Sequence, residues 1–237
     1  MIEKALKFLL TFRDTEITEH NGFKYANRIL NQLPEDAPSV FSTKTLASLV
    51  ELILKENTHG SLNDLIIHVE SPTKVNVHTA LRNHLDRFNL YSAVAELPRI
   101  TFENYMDVEQ MNIMLKSTFV QSDMRDSLIQ LLASLSEEAV KTTDDDGISQ
   151  KVAVRTGVQT LSKVMVTPIV KLAPYRTFIE VPQPEGEFLL RLKTGPTAAL
   201  FEADGGAWKM QARKNIKQYF ETALADLIAA GKVVVTE

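Results

Sequence analysis

The segment from Glu187 to Ala223 constrains the fold most, because its hydrophobic period changes from that of a strand to that of a helix. Apolar residues alternate with more polar ones from Phe188 to Leu192, as in a strand with one buried face. After Asp204-Gly205-Gly206, apolar residues recur at helical spacing from Trp208, the only tryptophan, to Ile228. The sequence therefore predicts a strand, a glycine turn and a long amphipathic helix.

The strand at 188–192 is followed by Gly195-Pro196 and a second apolar run, which predicts a hairpin with a two-residue turn. That turn fixes the cross-strand pairs: Leu192 with Ala199, Leu190 with Phe201, and Phe188 with Ala203. It also places Arg191 diagonal to Glu202, where opposite charges favour pairing. Trp208 opens the helical stripe, and we expect it to be mostly buried against the sheet.

Composition describes a globular protein and excludes several classes. The chain has 237 residues, 44% hydrophobic and 24% charged, enough to bury a core. Its net charge of -4 disfavours broad binding to a phosphate backbone. The absence of cysteine excludes disulfides and thiolate chemistry. The N-terminus has an amphipathic stripe and no signal-peptide pattern, and no uncharged run could span a membrane. We therefore expect a cytoplasmic protein with no membrane partner.

Hairpin patterns outnumber strand–helix–strand patterns, so the sequence predicts an α+β fold with antiparallel, hairpin-rich sheets and several amphipathic helices. Asn21-Gly22 indicates one hairpin, with Glu19 opposite Lys24 and Ile17 opposite Ala26. The acidic run at 142–147, TTDDDG, reads as a linker. We expect an α+β N-terminal half over 1–141 and a β-meander plus the long helix over 148–237. One continuous domain is the alternative.

No catalytic constellation is visible in the sequence. There is no H-x-x-x-H, no G-x-S-x-G and no phosphate-binding glycine motif. The Asp204-Gly205-Gly206 junction resembles a phosphate cradle in outline, but Asp204 would repel an anion, and a helix cap is the simpler interpretation. We therefore predict no catalytic residues, no metal and no cofactor; a hydrolase or nuclease is the least supported class.

Two histidines define one candidate site. Residues 65–70 and 75–81 both alternate, and an odd-length loop centred on Thr73 would bring their apolar residues to one face. That register predicts His68 opposite His78 and Glu70 opposite Asn76. A partner covering this face would make their protonation matter, because histidine titrates near neutral pH. A merely solvent-facing cluster is the alternative.

Three runs in the second half resemble an uncharacterised family from phage and prophage genomes, the YfdQ-like proteins. The runs are DDDGISQKVAVRTGVQ, PYRTFIEVPQPEGEFLLRL and ALFEADGGAWK, within residues 144–210. The resemblance implies a phage origin, action in the bacterial cytoplasm and a role outside the mechanical parts of the virion. It implies no catalytic residues.

These observations favour a non-enzymatic accessory protein that acts by binding, such as one that blocks a host defence factor or sequesters a small-molecule ligand. We expect a homo-oligomer. An accessory nucleic-acid-binding protein of phage replication or recombination is the alternative, and it would use the basic residues of the last helix. The candidate ligand- or partner-binding residues are His68, Glu70, His78, Arg176, Asp204 and Trp208.

Overall fold

The computed structural model describes residues 2–11, 17–20, 23–26, 38–58, 64–82, 86–134, 144–145, 150–156, 160–166, 168–193, 195 and 197–237. The chain divides into two compact units, Met1–Ala37 and Pro38–Glu237. The first contains α1 (Ile2–Thr11), β1 (Ile17–His20) and β2 (Phe23–Ala26). Its two strands pair with Glu19 opposite Lys24 and Ile17 opposite Ala26, which confirms the predicted register. Asn21 and Gly22 themselves lie outside the described residues.

The second unit contains the remaining elements. In chain order they are β3 (Phe41–Thr43), α2 (Leu46–Thr58), β4 (Leu65–Ser71), β5 (Lys74–Thr79), β6 (Asn89–Val94), β7 (Met106–Asp107), α3 (Val108–Thr118), α4 (Asp123–Ala133), β8 (Asp144–Asp145), β9 (Gln150–Thr156), β10 (Thr160–Val166), β11 (Ile169–Leu172), β12 (Gly186–Lys193), β13 (Thr197–Glu202), α5 (Trp208–Ala223), α6 (Ala225–Ala229) and β14 (Val233–Thr236). The predicted α+β class is confirmed, including the long C-terminal helix, which is α5.

Three sheets organise the strands of this unit. A five-stranded sheet has the order β14-β4-β5-β6-β3, with parallel pairing only at its two ends, between β14 and β4 and between β3 and β6. A four-stranded antiparallel sheet has the order β11-β12-β13-β7. A three-stranded antiparallel sheet has the order β10-β9-β8. Most pairings are antiparallel, as the hairpin patterns predicted.

Each of the two larger sheets has its own core. The five-stranded sheet packs against α2 and α5, whose buried residues include Leu49 and Phe220. The four-stranded sheet packs against α3 and α4 around Phe119 and Phe188, whose rings meet edge to face with centroids 6.2 Å apart. Burial of these apolar stripes is the main stabilising term, at about 25 cal/mol per Å².

The structure divides the chain differently from the predicted halves. β7 lies in the first half yet pairs with β13, and β14 lies in the second half yet pairs with β4. The compact boundary falls at Ala37/Pro38 instead. Within the predicted linker only Asp144 and Asp145 are described, and they form β8 against β9. Sequence patterns reveal local periodicity, and they do not show which strands pair when those strands are far apart in the chain.

The predicted register of the β12–β13 hairpin is wrong by one residue. Leu190 pairs with Leu200 and Leu192 with Ala198, so three residues separate the last paired residues, Lys193 and Thr197. Gly195 has φ of 90°, the left-handed conformation that three-residue hairpin loops place at one position. Phe201 therefore lies on the face opposite Leu190. Arg191 pairs with Ala199, and Glu202 lies on the other face, so their predicted pairing is wrong as well.

Candidate functional site

The six candidate residues fall into two groups on different sheets. His68, Glu70 and His78 lie on β4 and β5 of the five-stranded sheet. Arg176, Asp204 and Trp208 come together beside the four-stranded sheet, at the end of β13 and the beginning of α5. The two groups differ in how well their polar atoms are paired.

The first group belongs to a polar row across the whole five-stranded sheet. The strand registers align one residue from each strand, in the order Thr236, His68, Asn76, Ser92 and Ser42. The side chains at this row and beside it are joined by hydrogen bonds. Ser92 donates to Asn76 Oδ1 at 2.9 Å, and Asn76 Nδ2 donates to Glu70 Oε2 at 2.6 Å. His68 Nδ1 lies 3.3 Å from the Thr236 hydroxyl. Asn76 and Ser92, both buried, therefore have partners.

The predicted register of the two histidines is half correct. His68 faces Asn76 and His78 faces Ile66, so the two imidazoles are diagonal and not opposite. They do share a sheet face. A two-residue turn at Pro72 and Thr73 replaces the predicted odd loop, and an irregularity in the ladder between Val69 and Ser71 restores the apolar alternation.

Titration of this face follows from its contacts. The hydrogen bond from Lys74 lowers the pKa of Glu70, which also accepts from Asn76. Burial lowers the pKa of His78, and the nearby charges of His68 and Arg87 lower it further, while Glu70 opposes them. His78 is therefore held toward its neutral form.

The second group is built around Arg176, a buried arginine that is 7% exposed. Its Nη1 donates to Glu202 Oε1 at 2.6 Å, and its Nη2 lies 3.8 Å from Asp204 Oδ2. The guanidinium lies over the ring of Trp208, 4.0 Å from the centroid, a distance at which cation–π attraction is substantial. Burial lowers the pKa of Arg176 from its usual value, and the two carboxylates oppose that shift. Arginine stays charged in such surroundings.

Gly186, the first residue of β12, is part of this arrangement. A Cβ there would clash with Arg176 Nη2 and lie 2.9 Å from Asp204 Oδ2. Only glycine allows the guanidinium and the carboxylate to approach the strand so closely. A lone glycine at a strand end is the sequence signal for close backbone approach. Sequence reasoning missed both Gly186 and Glu202. It missed Glu202 because the predicted register placed this residue on the wrong face of the hairpin.

The segment between β11 and β12 holds Arg176 in place. Hydrogen bonds to the Gln183 side chain take the place of strand pairing in this segment. Gln183 Oε1 accepts from the backbone N–H groups of Arg176 and Thr177 at 3.0 and 3.2 Å. Its Nε2 donates to the carbonyl of Phe178 at 2.9 Å. The Thr177 hydroxyl donates to the carbonyl of Pro72 at 2.5 Å. The segment is thus irregular but well tied.

Several buried polar atoms of the second group have no hydrogen-bond partner among the described residues. They are Arg176 Nε and Nη2, Asp204 Oδ2 and Trp208 Nε1. Arg176 Nη2 and Asp204 Oδ2 attract each other as an ion pair at 3.8 Å, beyond hydrogen-bond distance. A buried polar group without a hydrogen-bond partner costs about 1–3 kcal/mol, and native structures contain few of them.

A cavity of about 640 Å³ lies beside these atoms. Asp204, Trp208 and Gly186 line it, together with the loop residues Pro182–Glu185, with Lys171 and Glu187, and with Ala207, Gln211 and Asn215. Its size is within the usual range for small-molecule sites. We call it the Trp208 cavity.

The structure corrects two expectations about the α5 junction. Trp208 is half-buried and lines the cavity, where we expected a mostly buried core residue. Asp204 does not cap α5: its Oδ1 accepts from Gly206 N at 2.9 Å in the preceding turn, and the cap residue is Ala207, without a side-chain bond. Gly205 and Gly206 both have positive φ in this turn, 60° and 82°.

The described residues offer no metal site, because no cluster of three or more histidine, aspartate or glutamate side chains among them has the geometry to hold a metal ion. None of the described helices has the length and apolar character to cross a membrane.

Comparison with known proteins gives no match. No family model, no curated protein and no solved structure is significantly similar to this chain. The geometry of the Trp208 cavity is therefore the strongest guide to function.

Proposed function

We propose that the protein acts by binding, and that the Trp208 cavity holds a small polar ligand. The observation that carries this proposal is that Asp204 and Trp208 line the cavity and each has a buried polar atom, Oδ2 and Nε1, without a hydrogen-bond partner among the described residues. A ligand that pairs with these atoms would recover the free energy that unpaired buried polar groups cost.

The unpaired atoms specify the chemistry of the ligand. Trp208 Nε1–H is a donor and requires an acceptor oxygen. Asp204 Oδ2 is an acceptor and requires an N–H or O–H donor. The ligand therefore carries both kinds of group close together, as an amino acid, an amide or an amino alcohol does.

The charges around the cavity favour a cationic donor. Among the charged lining residues, Glu185, Glu187 and Asp204 are negative and Lys171 is positive. Lys171 Nζ lies 3.6 Å from Glu187 Oε1, and this ion pair neutralises one of the three carboxylates. Arg176 is matched by Glu202 behind the cavity wall. The excess of carboxylates attracts an ammonium group and repels a free phosphate.

The biological setting of the proposal comes from the resemblance of residues 144–210 to the YfdQ-like phage and prophage proteins. In that setting the chain is a phage accessory protein of the bacterial cytoplasm, and it sequesters a ligand without transforming it. Of the two binding modes that the sequence favoured, a concave acidic cavity supports ligand capture more directly than blockade of a host factor.

The alternative of nucleic-acid binding has less support. It depended on the basic residues of α5: Lys209, Arg213, Lys214 and Lys217. Arg213 is directed to the carbonyl of Glu70, to which its Nη2 donates at 3.1 Å. The adjacent cavity is acidic, which opposes a phosphate backbone.

The single tryptophan makes a direct test possible, because Trp208 fluorescence reports occupancy of the cavity. We expect free lysine and a short amino alcohol to shift its emission and raise the melting temperature, whereas phosphate and single-stranded DNA do neither. Asp204→Asn keeps the shape and removes the charge, and it should weaken amine binding about tenfold or more, equivalent to about 1.4 kcal/mol.

Lys214→Gln is the matched control, since Lys214 is exposed on α5 and does not line the cavity. Equal affinity in wild type and Asp204→Asn would contradict the proposal, as would the absence of any amine binding. Salt-dependent DNA binding without amine binding would favour the nucleic-acid alternative. Native mass spectrometry of the protein purified from cells should also show a copurifying small mass.

A further inference from the structure

A second cavity lies along the same helix as the Trp208 cavity. This second cavity has a volume of about 400 Å³ and is lined by Glu180, Val181, Pro182, Asn215, Gln218, Tyr219, Thr222 and Ala223. It shares Pro182 and Asn215 with the Trp208 cavity. Both cavities therefore lie between α5 and the segment 180–187, and together we call them the α5 groove.

A hydrogen bond joins the two residues that both cavities share. Asn215 Nδ2 donates to the carbonyl of Pro182 at 2.8 Å, and this bond is exposed to solvent. An exposed bond of this kind exchanges readily for equivalent bonds to a ligand, so the net cost of opening it is small. The amide of Asn215 and the carbonyl of Pro182 would then offer one donor and one acceptor to a chain lying in the groove.

The two ends of the groove differ in character. At the Trp208 end, carboxylates exceed cations and the unpaired atoms of Asp204 and Trp208 remain. At the other end, Val181, Pro182, Tyr219 and Ala223 offer an apolar surface. Ile179, which precedes this end in the chain, is 79% exposed. The polar residues Gln211, Asn215 and Gln218 lie between the two ends on α5.

The length of the groove fits a short extended peptide. The α5 residues that line it run from Trp208 to Ala223, and the 14 steps from Trp208 to Thr222 correspond to about 21 Å at about 1.5 Å per helical residue. An extended chain rises about 3.3 Å per residue, so about six residues span that distance. Peptide groups alternate donors and acceptors, which is what the amide-lined middle of the groove requires.

We propose that the α5 groove binds an extended peptide segment of a partner protein, with a lysine or arginine side chain in the Trp208 cavity and an apolar side chain in the second cavity. This inference rests on the proposed function, because it identifies the donor of the ligand as a basic side chain and its acceptor as a peptide carbonyl of the same segment. Trp208 to Tyr219 spans about 16 Å, so the two anchors lie about five residues apart.

The test uses a capped hexapeptide, acetyl-Lys-Ser-Thr-Ser-Thr-Leu-amide, in titration calorimetry with the whole chain. Two matched peptides replace the leucine with serine or the lysine with glutamate, and capped lysine alone represents the small ligand. We expect the hexapeptide to bind at least tenfold more tightly than capped lysine, and each replacement to lose at least that factor.

Protein variants locate the leucine. Ala223→Gln places a larger polar side chain at an exposed helical position in the second cavity, and it should weaken the hexapeptide about tenfold while leaving the serine-replaced peptide unchanged. Glu221→Gln is the control, because Glu221 is exposed on α5 and lines neither cavity. It should alter neither peptide's affinity.

The outcomes separate the two proposals. If capped lysine binds as tightly as the hexapeptide and Asp204→Asn weakens both, the ligand is small and the peptide inference is overturned while the proposed function stands. If neither capped lysine nor the hexapeptide binds, both are overturned. The peptide inference is supported if Ala223→Gln weakens hexapeptide binding and the control Glu221→Gln does not.

Discussion

The polar face of the five-stranded sheet and the Arg176 cluster contain similar residue types but differ in how far their bonding is complete. On the sheet face, buried Asn76 links Ser92 to Glu70, and Lys74 completes the chain with an ion pair to Glu70 at 2.9 Å. In the Arg176 cluster, a guanidinium and a carboxylate are buried together and still keep unpaired atoms.

The difference teaches how to separate a structural polar network from a binding site. A network with all partners in place gains nothing from a ligand, and it specifies strand register instead. In a cluster with missing partners, burial of polar atoms without hydrogen bonds costs free energy, and a ligand that supplies the partners recovers it. Burial alone does not separate the two regions, because Asn76 and Arg176 are 6% and 7% exposed.

The largest effect expected is for Arg176→Met. Removing the cation leaves Asp204 buried without its partner, and breaking a buried pair from one side costs about 3 kcal/mol. Urea denaturation would measure the loss, with Arg99→Met, at an exposed position, as the control. Adding Asp204→Asn to Arg176→Met should recover part of it. A loss as small as that of the control would remove the contrast between the two regions.

A smaller effect is expected for Gly186→Ala, which sharpens the comparison by perturbing the cluster without removing a charge. The new Cβ would displace the Arg176 guanidinium, and overpacking of this kind costs about 1–3 kcal/mol. Amine binding should weaken along with stability, as followed by Trp208 fluorescence and thermal melts. Unchanged binding would mean that the position of Arg176 is irrelevant to the cavity.

On the sheet face, Ser92→Ala should cost about 1 kcal/mol, because Asn76 Oδ1 loses its donor while remaining buried. Ser42→Ala is the control, since Ser42 occupies the same row and is exposed. Neither variant should alter amine binding in the Trp208 cavity. A change in ligand affinity for Ser92→Ala would show that the two regions are coupled.

The smallest effect concerns His78. Burial lowers its pKa in the folded protein, so the unfolded chain binds the proton more readily. Its contribution to stability is complete above the usual histidine pKa of about 6.5 and is lost as the pH falls through the lower folded value. Melting temperatures at pH 7.5 and 5.5 should differ less in His78→Gln than in the wild type. An equal difference in both proteins would contradict the assignment.

The sequence predicted elements better than their partners. The apolar periods located the α5 stripe, in which Ala212, Ile216 and Phe220 are buried, and the strands on either side of Pro72. Register was missed wherever an irregularity intervened, at Gly195 and near Glu70, because one extra residue exchanges the two faces of a strand.

The candidate site was half predictable for a similar reason. Asp204 and Trp208 stood out locally, as a turn residue and the lone tryptophan. The approach of Arg176 to both depends on Gln183, which replaces a strand ladder with side-chain bonds to the backbone. The convergence also depends on the absent side chain at Gly186, a consequence of packing that no periodicity encodes.

The pairing of β14 with β4 has a kinetic consequence. Val233 lies opposite Leu65, so this parallel edge joins two segments that are far apart in the sequence. Forming contacts between segments so far apart in sequence costs loop-closure entropy before the contacts contribute any stabilisation, and this slows folding. Until they form, β4 is the open edge of a hairpin sheet, and an unpaired edge is a template for aggregation. Refolding yield should therefore fall steeply as protein concentration rises.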